Sequence, residues 1–584
     1  MAKTAGDILV QTLLDWGVDT VFGIPGDGIN GVMESLRERK DEIKFVQVRH
    51  EEAGAFAACA YAKFTGRLGV CLSTSGPGGI HLLNGIYDAK LDNQPVLAIT
   101  GLQHHDLLDT YTQQDVDLDK LFMDATAYSV RVMGAAHMQN VAEMACRTAL
   151  AYRQPTHITI PVDVQSQAVS KDDRSERNIK DHVSNLMARG GHLPDPAQLE
   201  RAAEILSKAK KPFILAGRGA LGARAELEAM AERLKAPVGM ALLGKGAIPD
   251  QSPYATGGVG LLGTRASQEA MESCDTLLIV GSCFPYIEFY PKPGSVPAVQ
   301  IDLDPKKIGL RYPVDAGLVG DSRRILAGLL PLVRANEDDG HLKTAQEAMR
   351  DWRELMHDRG TRRDTPMKPQ VVTHELNKLL DDDAIVITDS GTITSWTARH
   401  VDMRGDMMFS CSGTLASMAC GLPYAIGAAT AYPGRQVVAV IGDGAMAMLM
   451  GDLVTLRKYA LDVKIIVIKN NTLGQIKWEQ MVFLGNPEFG CELEPIDFVR
   501  VAEGCGLRAI SIDDPGRCAQ QLRDALATPG PCLIECVVDP NEPPMPPKTT
   551  AKQALHLAES LAKGTPGRGK IALTIASDVV RELV

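Results

Sequence analysis

Gly442-Asp443-Gly444 is followed, 27 residues after Asp443, by Asn470-Asn471. A β-branched run from Gln436 to Ile441 leads into the glycines. A second, from Val463 to Ile468, leads into the asparagines, and a helix-length segment lies between them. Parallel neighbouring strands joined by a helix end at the same edge of a sheet, so a carboxylate and an amide oxygen converge there. Hard oxygen donors of this kind suit Mg2+, which shares its coordination sphere with phosphate oxygens. The glycines let the backbone approach a diphosphate at the helix N-terminus, where amide N–H groups are free. Context carries the signal. Gly26-Asp27-Gly28 repeats the tripeptide, but the residue 27 beyond Asp27 is Gly54, so that copy reads as a strand-to-helix turn.

A second candidate chemistry sits in Val48-Arg-His-Glu51-Glu52-Ala-Gly-Ala-Phe-Ala-Ala. A carboxylate there opens an Ala-rich helix able to pack close to a bound group. From the residues alone Glu51 and Glu52 are equal rivals, and an acidic residue at a helix start is also favoured simply by the helix dipole.

These loops need a large α/β scaffold. The 584 residues predict about three domains, and alternating strand and helix patterns predict doubly wound parallel sheets in each. The first domain is expected over 1–168, with a helix at Asp7–Trp16 and strands at Thr20–Gly23, Phe45–Val48, Leu68–Leu72, Val96–Thr100 and His157–Val162. A polar linker is expected over 169–194. A central domain over 195–335 shows strands at Pro212–Ala216, Thr276–Val280 and Ala298–Ile301 and a helix at Arg224–Leu234. A charged linker over 336–368 precedes a third domain over 369–540. Pro540-Asn-Glu-Pro-Pro-Met-Pro-Pro then breaks the structure before a helical tail, within 541–584. The first and third units are similar in size and pattern, which suggests a paired architecture.

The net charge of −11 argues against nucleic acid as a main partner. The 12 cysteines are scattered without a Cys-x-x-Cys pair, which suggests neither a zinc site nor a disulfide framework. With no signal-peptide core at the N-terminus and no uncharged apolar run of membrane-spanning length, the expected location is the cytoplasm.

Three stretches together, Arg49-His-Glu-Glu-Ala-Gly-Ala-Phe-Ala-Ala, Ser75-Gly-Pro-Gly-Gly and the 442–471 signature, resemble the thiamine diphosphate-dependent pyruvate oxidase and acetolactate synthase family over essentially the whole chain. The resemblance implies that Glu51, directly after the His, contacts N1′ of the thiamine pyrimidine. Such a carboxylate lets the cofactor's own imino group take the proton from its reactive carbon. It further implies Asp443, Asn470 and the Thr472 carbonyl as Mg2+ ligands. Gly444 and Ala445 would form the diphosphate cradle, and Met418 would wedge the cofactor into a bent shape. Ala416, Ser417 and Gly474 belong to the implied cofactor contacts, and Gln114 and Glu479 would face the substrate. In this family Glu51 and Asp443 come from different chains, so a homodimer or homotetramer is implied.

The central domain carries Gly281-Ser-Cys-Phe-Pro-Tyr, Gln300-Ile-Asp-Leu-Asp-Pro and Leu318-Val-Gly-Asp-Ser. These resemble FAD-binding segments of quinone-dependent pyruvate dehydrogenases and pyruvate oxidases. The implied FAD contacts are Gly260, Leu261, Leu262 and Gly263, then Ser282, Cys283, Phe284, Pro285 and Tyr286, with Asp302 and Asp321 at strand ends able to accept from ribose or ribityl hydroxyls. The tail resembles that of the quinone-dependent branch, where it helps the enzyme reach the membrane. An amphipathic helix over Lys570–Val584 could serve that contact, and so could a helix packed on its own subunit.

Two residues depart from the oxidase pattern: Gln113 and Gln475 stand where the best-matching oxidases have aromatics. The expected activity is oxidative decarboxylation of a 2-oxo acid, pyruvate by default, with electrons passed through FAD to a quinone or oxygen. The glutamine pair leaves open a non-oxidative carboligase or decarboxylase with structural or absent FAD. A catalytically silent homologue, the third reading, is opposed by intact Glu51, Asp443 and Asn470.

Overall fold

The computed structural model of this chain describes residues 3–169, 174–178, 194–548 and 551–583, with 577–583 as backbone alone. Most of the linker expected over 169–194 lies outside the described residues. Three six-stranded sheets organise the chain, and all their strand pairings are parallel.

The first sheet contains β1 (Thr20–Gly23), β2 (Lys44–Gln47), β3 (Gly69–Ser73), β4 (Val96–Leu102), β5 (Tyr128–Arg131) and β6 (Thr156–Pro161), in the order β2-β1-β3-β4-β6-β5. The central sheet contains β7 (Pro212–Ala216), β8 (Val238–Met240), β9 (Ala255–Gly258), β10 (Thr276–Val280), β11 (Ala298–Asp302) and β12 (Ala316–Val319), in the order β12-β11-β10-β7-β8-β9. The third contains β13 (Ile385–Thr388), β14 (Met408–Ser410), β15 (Val437–Gly442), β16 (Val463–Lys469), β17 (Arg508–Ile512) and β18 (Cys532–Val537), in the order β14-β13-β15-β16-β18-β17. Strand for strand, the third sheet repeats the order of the first, as their similar pattern suggested. All three sheets are doubly wound: strand order reverses direction between β1 and β3, between β7 and β10 and between β13 and β15, and each reversal opens a crevice at the strand ends.

The composition of the strands follows from this topology. Parallel sheets are covered by crossover helices on both faces, so their strands read as continuous apolar runs. In β15 and β16 every residue but the last is buried. One apolar core spans the first and third domains. At its centre the helix Glu51–Thr65 packs on the helix Gly421–Ala431. These helices occupy equivalent places, each between the second and third strands of its own sheet. Both are rich in Ala and Gly, and they approach so closely that a Cβ on Gly427 would stand 2.4 Å from the Ala57 carbonyl oxygen.

The charged 336–368 stretch, expected as a linker, contains a 21-residue helix, Gly340–Gly360. Met349, Trp352 and Met356 are buried in one cluster with Ala266 of the central domain, so this helix is part of that domain's packing. The tail forms helices Ala551–Ala562 and Arg568–Leu583. Leu557 and Ile571 bury themselves against Trp478, Met481 and Val482 of the third domain, while Leu573 stays 73% exposed. Among the described residues no helix is long and apolar enough to cross a membrane.

Candidate active site

Asp443 opens a helix directly at the end of β15, and Asn470 follows the end of β16. The two strands pair in register up to Gly442 and Ile468, so the loops leave the sheet side by side. Asp443 Oδ1 accepts from the Gly444 N–H at 3.0 Å, and Oδ2 from the Asn471 N–H at 2.6 Å. Asn470 Oδ1 accepts from the Thr472 N–H at 3.1 Å, and the Thr472 carbonyl from the Gly474 N–H at 2.8 Å. Asn471 takes up φ 53° to make the turn. Burial pushes the Asp443 carboxyl above its ordinary value, although the backbone N–H groups of Asn471 and Gly444 oppose the shift. A carboxylate held in place yet short of compensating charge, beside an amide and a carbonyl oxygen that each keep a lone pair, is a donor set that fits Mg2+.

Gly442 borders open space and Gly444 has little room for a side chain, so the loop presents bare backbone of the kind a diphosphate approaches. A Cβ on Gly444 would meet Leu473, Leu493 and, at 3.5 Å, Met418 Cε, so Met418 stands directly over the cradle. A Cβ on Gly474 would lie 3.2 Å from both Asn470 Nδ2 and Thr392 Cγ2. The start of the helix Thr392–His400 therefore joins the site. Its preceding Gly391, with φ 130°, borders open space. The sequence reading missed Asp389, Ser390 and Gly391. Their available signal was an Asp-Ser-Gly turn after the apolar run of β13. Asp389 is fully buried and accepts from the N–H groups of Ser390, Ala419 and Gly421 at 2.7, 3.0 and 2.7 Å, fixing the chain just after Met418, while Ser390 Oγ donates to the Ser417 carbonyl just before it at 2.9 Å.

Glu51 is the first residue of its helix, and the structure separates it from its rival. Glu51 Oε2 lies 2.9 Å from His81 Nδ1, and the His81 ring stacks on His50 at 4.5 Å between centroids. Glu52 instead accepts from Asn84 Nδ2 at 2.6 Å, and the same amide donates to Ser417 Oγ at 3.0 Å. The Glu51 side chain is 13% exposed, and among the described residues its bond is to His81 and none runs to the Asp443 loop. Gln114, at φ 59°, accepts from Ser75 Oγ at 2.6 Å, and a Cβ on Gly76 would collide with it at 2.8 Å. Ser75-Gly76 and Gln114 thus form one packed unit.

Gln475 donates to Glu479 Oε1 at 2.9 Å, and its Oε1 is buried without a partner among the described residues. Glu479 is exposed at the start of a π-helical turn, Glu479–Phe483, a distortion common at functional sites. Gln475, Trp478 and Phe483 line a hollow with Leu261 of the central domain and Pro543 to Pro546 of the tail. The helix bearing Gln475 therefore faces the Gly260–Gly263 loop.

In the central domain the residues expected at FAD gather at the strand ends. Gly260 (φ 93°) lies against Phe284, whose ring a Cβ would strike at 2.6 Å. Ser282, Cys283, Phe284, Pro285 and Tyr286 follow β10, and Ser282 Oγ is buried with no partner among the described residues. Asp302 ends β11, and burial pushes its carboxyl above the ordinary value. Asp321 caps the helix Ser322–Leu329 through the Arg324 N–H at 3.1 Å. Arg399, missed by the sequence reading, donates to the Leu261 carbonyl at 2.9 Å and is otherwise buried. An orphaned hydroxyl, a desolvated carboxyl and a backbone turn at the β7/β10 crevice are features that fit a dinucleotide.

Comparison with known proteins agrees with this geometry. Three family models match consecutive parts of the chain. They are the N-terminal thiamine pyrophosphate-binding domain over 3–121, the thiamine pyrophosphate enzyme central domain over 199–329 and the C-terminal thiamine pyrophosphate-binding domain over 389–536. A Bacillus subtilis protein named as thiamine pyrophosphate-containing is 39% identical over 561 residues, 96% of each chain. The pyruvate oxidase of Lactiplantibacillus plantarum is 33% identical over 92% of this chain and 89% of its own. The chloroplastic acetolactate synthase 1 of Nicotiana tabacum is 30% identical over 93% of this chain and 83% of its own. With its paired sheets and its converging Asp443, Asn470 and Thr472 oxygens, this chain belongs to the thiamine diphosphate-dependent enzymes of the acetolactate synthase superfamily.

Proposed function

We propose that this enzyme oxidatively decarboxylates a 2-oxo acid, pyruvate by default, using thiamine diphosphate, Mg2+ and FAD, and passes the electrons to a quinone or oxygen. The observation that carries the oxidative reading is the hollow shared by Leu261 and Gln475: the loop expected at FAD borders the helix expected at the substrate. Bound thiamine diphosphate supplies the electron sink for loss of CO2, and FAD the two-electron acceptor. The chain's own residues do the rest. Asp443, Asn470 and the Thr472 carbonyl hold the metal, and Gly444 and Ala445 admit the diphosphate. Met418 sets the cofactor's bend. Glu51 holds a proton at the pyrimidine nitrogen of the site it serves, and Gln114 and Glu479 orient the acid. The active site forms between subunits of a homodimer or homotetramer. The cytoplasm is the proposed location, with any quinone contact peripheral.

A second reading, a carboligase of the acetolactate synthase type, is favoured by one feature. Gln475 presents a buried amide oxygen, without a partner among the described residues, where an aromatic would make the space apolar. One anaerobic experiment separates the two. The purified protein is mixed with thiamine diphosphate, Mg2+ and pyruvate while the visible flavin absorbance and CO2 are followed. Bleaching supports oxidation. CO2 release with an unchanged flavin spectrum supports the carboligase, and a colourless protein removes the electron carrier on which the oxidative reading depends.

A further inference from the structure

The loop Cys411–Met418 belongs to the third domain, but much of what fixes it belongs to the first. Asp92 Oδ2 and Oδ1 accept from the N–H groups of Gly413 and Thr414 at 2.9 and 2.8 Å. Lys63 Nζ donates to Asp92 at 2.6 Å and to the Cys411 carbonyl at 2.8 Å, and stands 3.8 Å from Asp88. Ser412 Oγ donates to Asp88 at 2.7 Å and accepts from the Ser417 N–H at 2.9 Å. The side chains of Lys63, Asp88 and Asp92 are 2%, 0% and 0% exposed. Buried charges at a domain junction are costly unless each is paired and hydrogen-bonded, and here most of the bonds end on this one loop. The loop enters Met418 through Ala416 at φ 54° and leaves through Ala419 at φ 72°. Non-glycine residues hold that left-handed conformation when their surroundings impose it.

We propose that Asp92 is a positioning residue for the reaction: paired with Lys63, it holds the 411–418 loop and so sets where the Met418 side chain stands over the Gly444 cradle. The inference rests on the reading of Met418 as the residue that bends the cofactor. A plain structural bridge would sustain folding and nothing else. A positioning residue also sets the conformation of the bound cofactor, and with it kcat more than the KM for pyruvate.

The test compares Asp92→Asn, Ser412→Ala, the double variant Lys63→Met/Asp92→Asn and Met418→Ala, all as full-length protein. The double variant removes the Lys63–Asp92 pair together and leaves Asp88 with the Ser412 and Tyr424 hydroxyls as donors, and Ser412→Ala removes no charge. Apoenzyme is titrated with thiamine diphosphate at fixed Mg2+, the near-ultraviolet circular dichroism of the bound cofactor is recorded, and thermal midpoints are measured in parallel. The expected result is a rise of about tenfold in Kd in the Asp92 variants, the scale of a lost charge-assisted hydrogen bond, and a cofactor spectrum displaced toward that of Met418→Ala. A smaller displacement in the same direction is expected for Ser412→Ala. Folded Asp92 or Ser412 variants with wild-type Kd and spectrum, whatever their thermal midpoint, would overturn the proposal. A wild-type cofactor spectrum in Met418→Ala would overturn the reading of Met418 and the proposal with it.

Discussion

At the scale of the residue, one carboxylate is asked to do chemistry and another is asked to stay out of it. Glu51 sits at a helix start within reach of His81. Glu51→Gln keeps the shape of the side chain and removes the exchangeable charge. The variant should therefore bind thiamine diphosphate normally and lose about a hundred- to ten-thousand-fold in kcat; paired binding and turnover measurements check this. Asp389, by contrast, is a fixture. Burial pushes its carboxyl up to about 7 against the pull of three backbone N–H groups. Because the folded value is raised, the stabilisation is present in full below the ordinary carboxylate value near about 4 and is lost as pH rises through about 7. Urea midpoints of the cofactor-free protein should fall between about pH 4 and about pH 7 and level off above it, and Asp389→Asn should flatten that slope. A wild-type profile with no such fall would contradict the burial argument.

At the scale of the element, helix packing replaces charge as the deciding term. A valine at Gly427 would push its side chain into the Ala57 carbonyl and Ala60. Gly427→Val should cost about 1–3 kcal/mol through overpacking and lower the thermal midpoint; calorimetry reads both. The elements themselves were largely legible in the sequence. Thr20–Gly23, Pro212–Ala216 and Thr276–Val280 appear as strands with the expected bounds, because apolar runs end at Gly, Pro or polar residues. The Gly340–Gly360 helix was not read, because its charged outer face hides Met349, Trp352 and Met356 at helical spacing. Motif spacing brought Asp443 and Asn470 to adjoining loops, since neighbouring parallel strands deliver both, whereas Thr472 came from the family resemblance. It gave no hint of Asp92 against Gly413 or of His81 against Glu51, which arise when separate elements dock. The π-helical turn at Glu479 has no local sequence signature either.

At the scale of the whole molecule, the proposal that Glu51 and the Asp443 loop of one site come from different subunits has a consequence for mixed proteins. If each site takes Glu51 from one subunit and the metal loop from another, Glu51→Gln and Asp443→Ala proteins, each inactive, should complement when mixed and refolded together. Random pairing makes half of the dimers mixed, and each mixed dimer keeps one intact site of two, so activity should return to about a quarter of wild type. No recovery would assign both groups to one chain. The identical strand orders of the first and third sheets carry the point further. The helices Glu51–Thr65 and Gly421–Ala431 meet as counterparts, the geometry of two like subunits facing across a twofold axis. The polypeptide reads as one ancestral fold copied, fused in tandem and parted by a dinucleotide-binding-like insert. On the proposed roles, the acid lies in one copy and the metal ligands in the other, so each copy was free to specialise while its counterpart kept the remaining task.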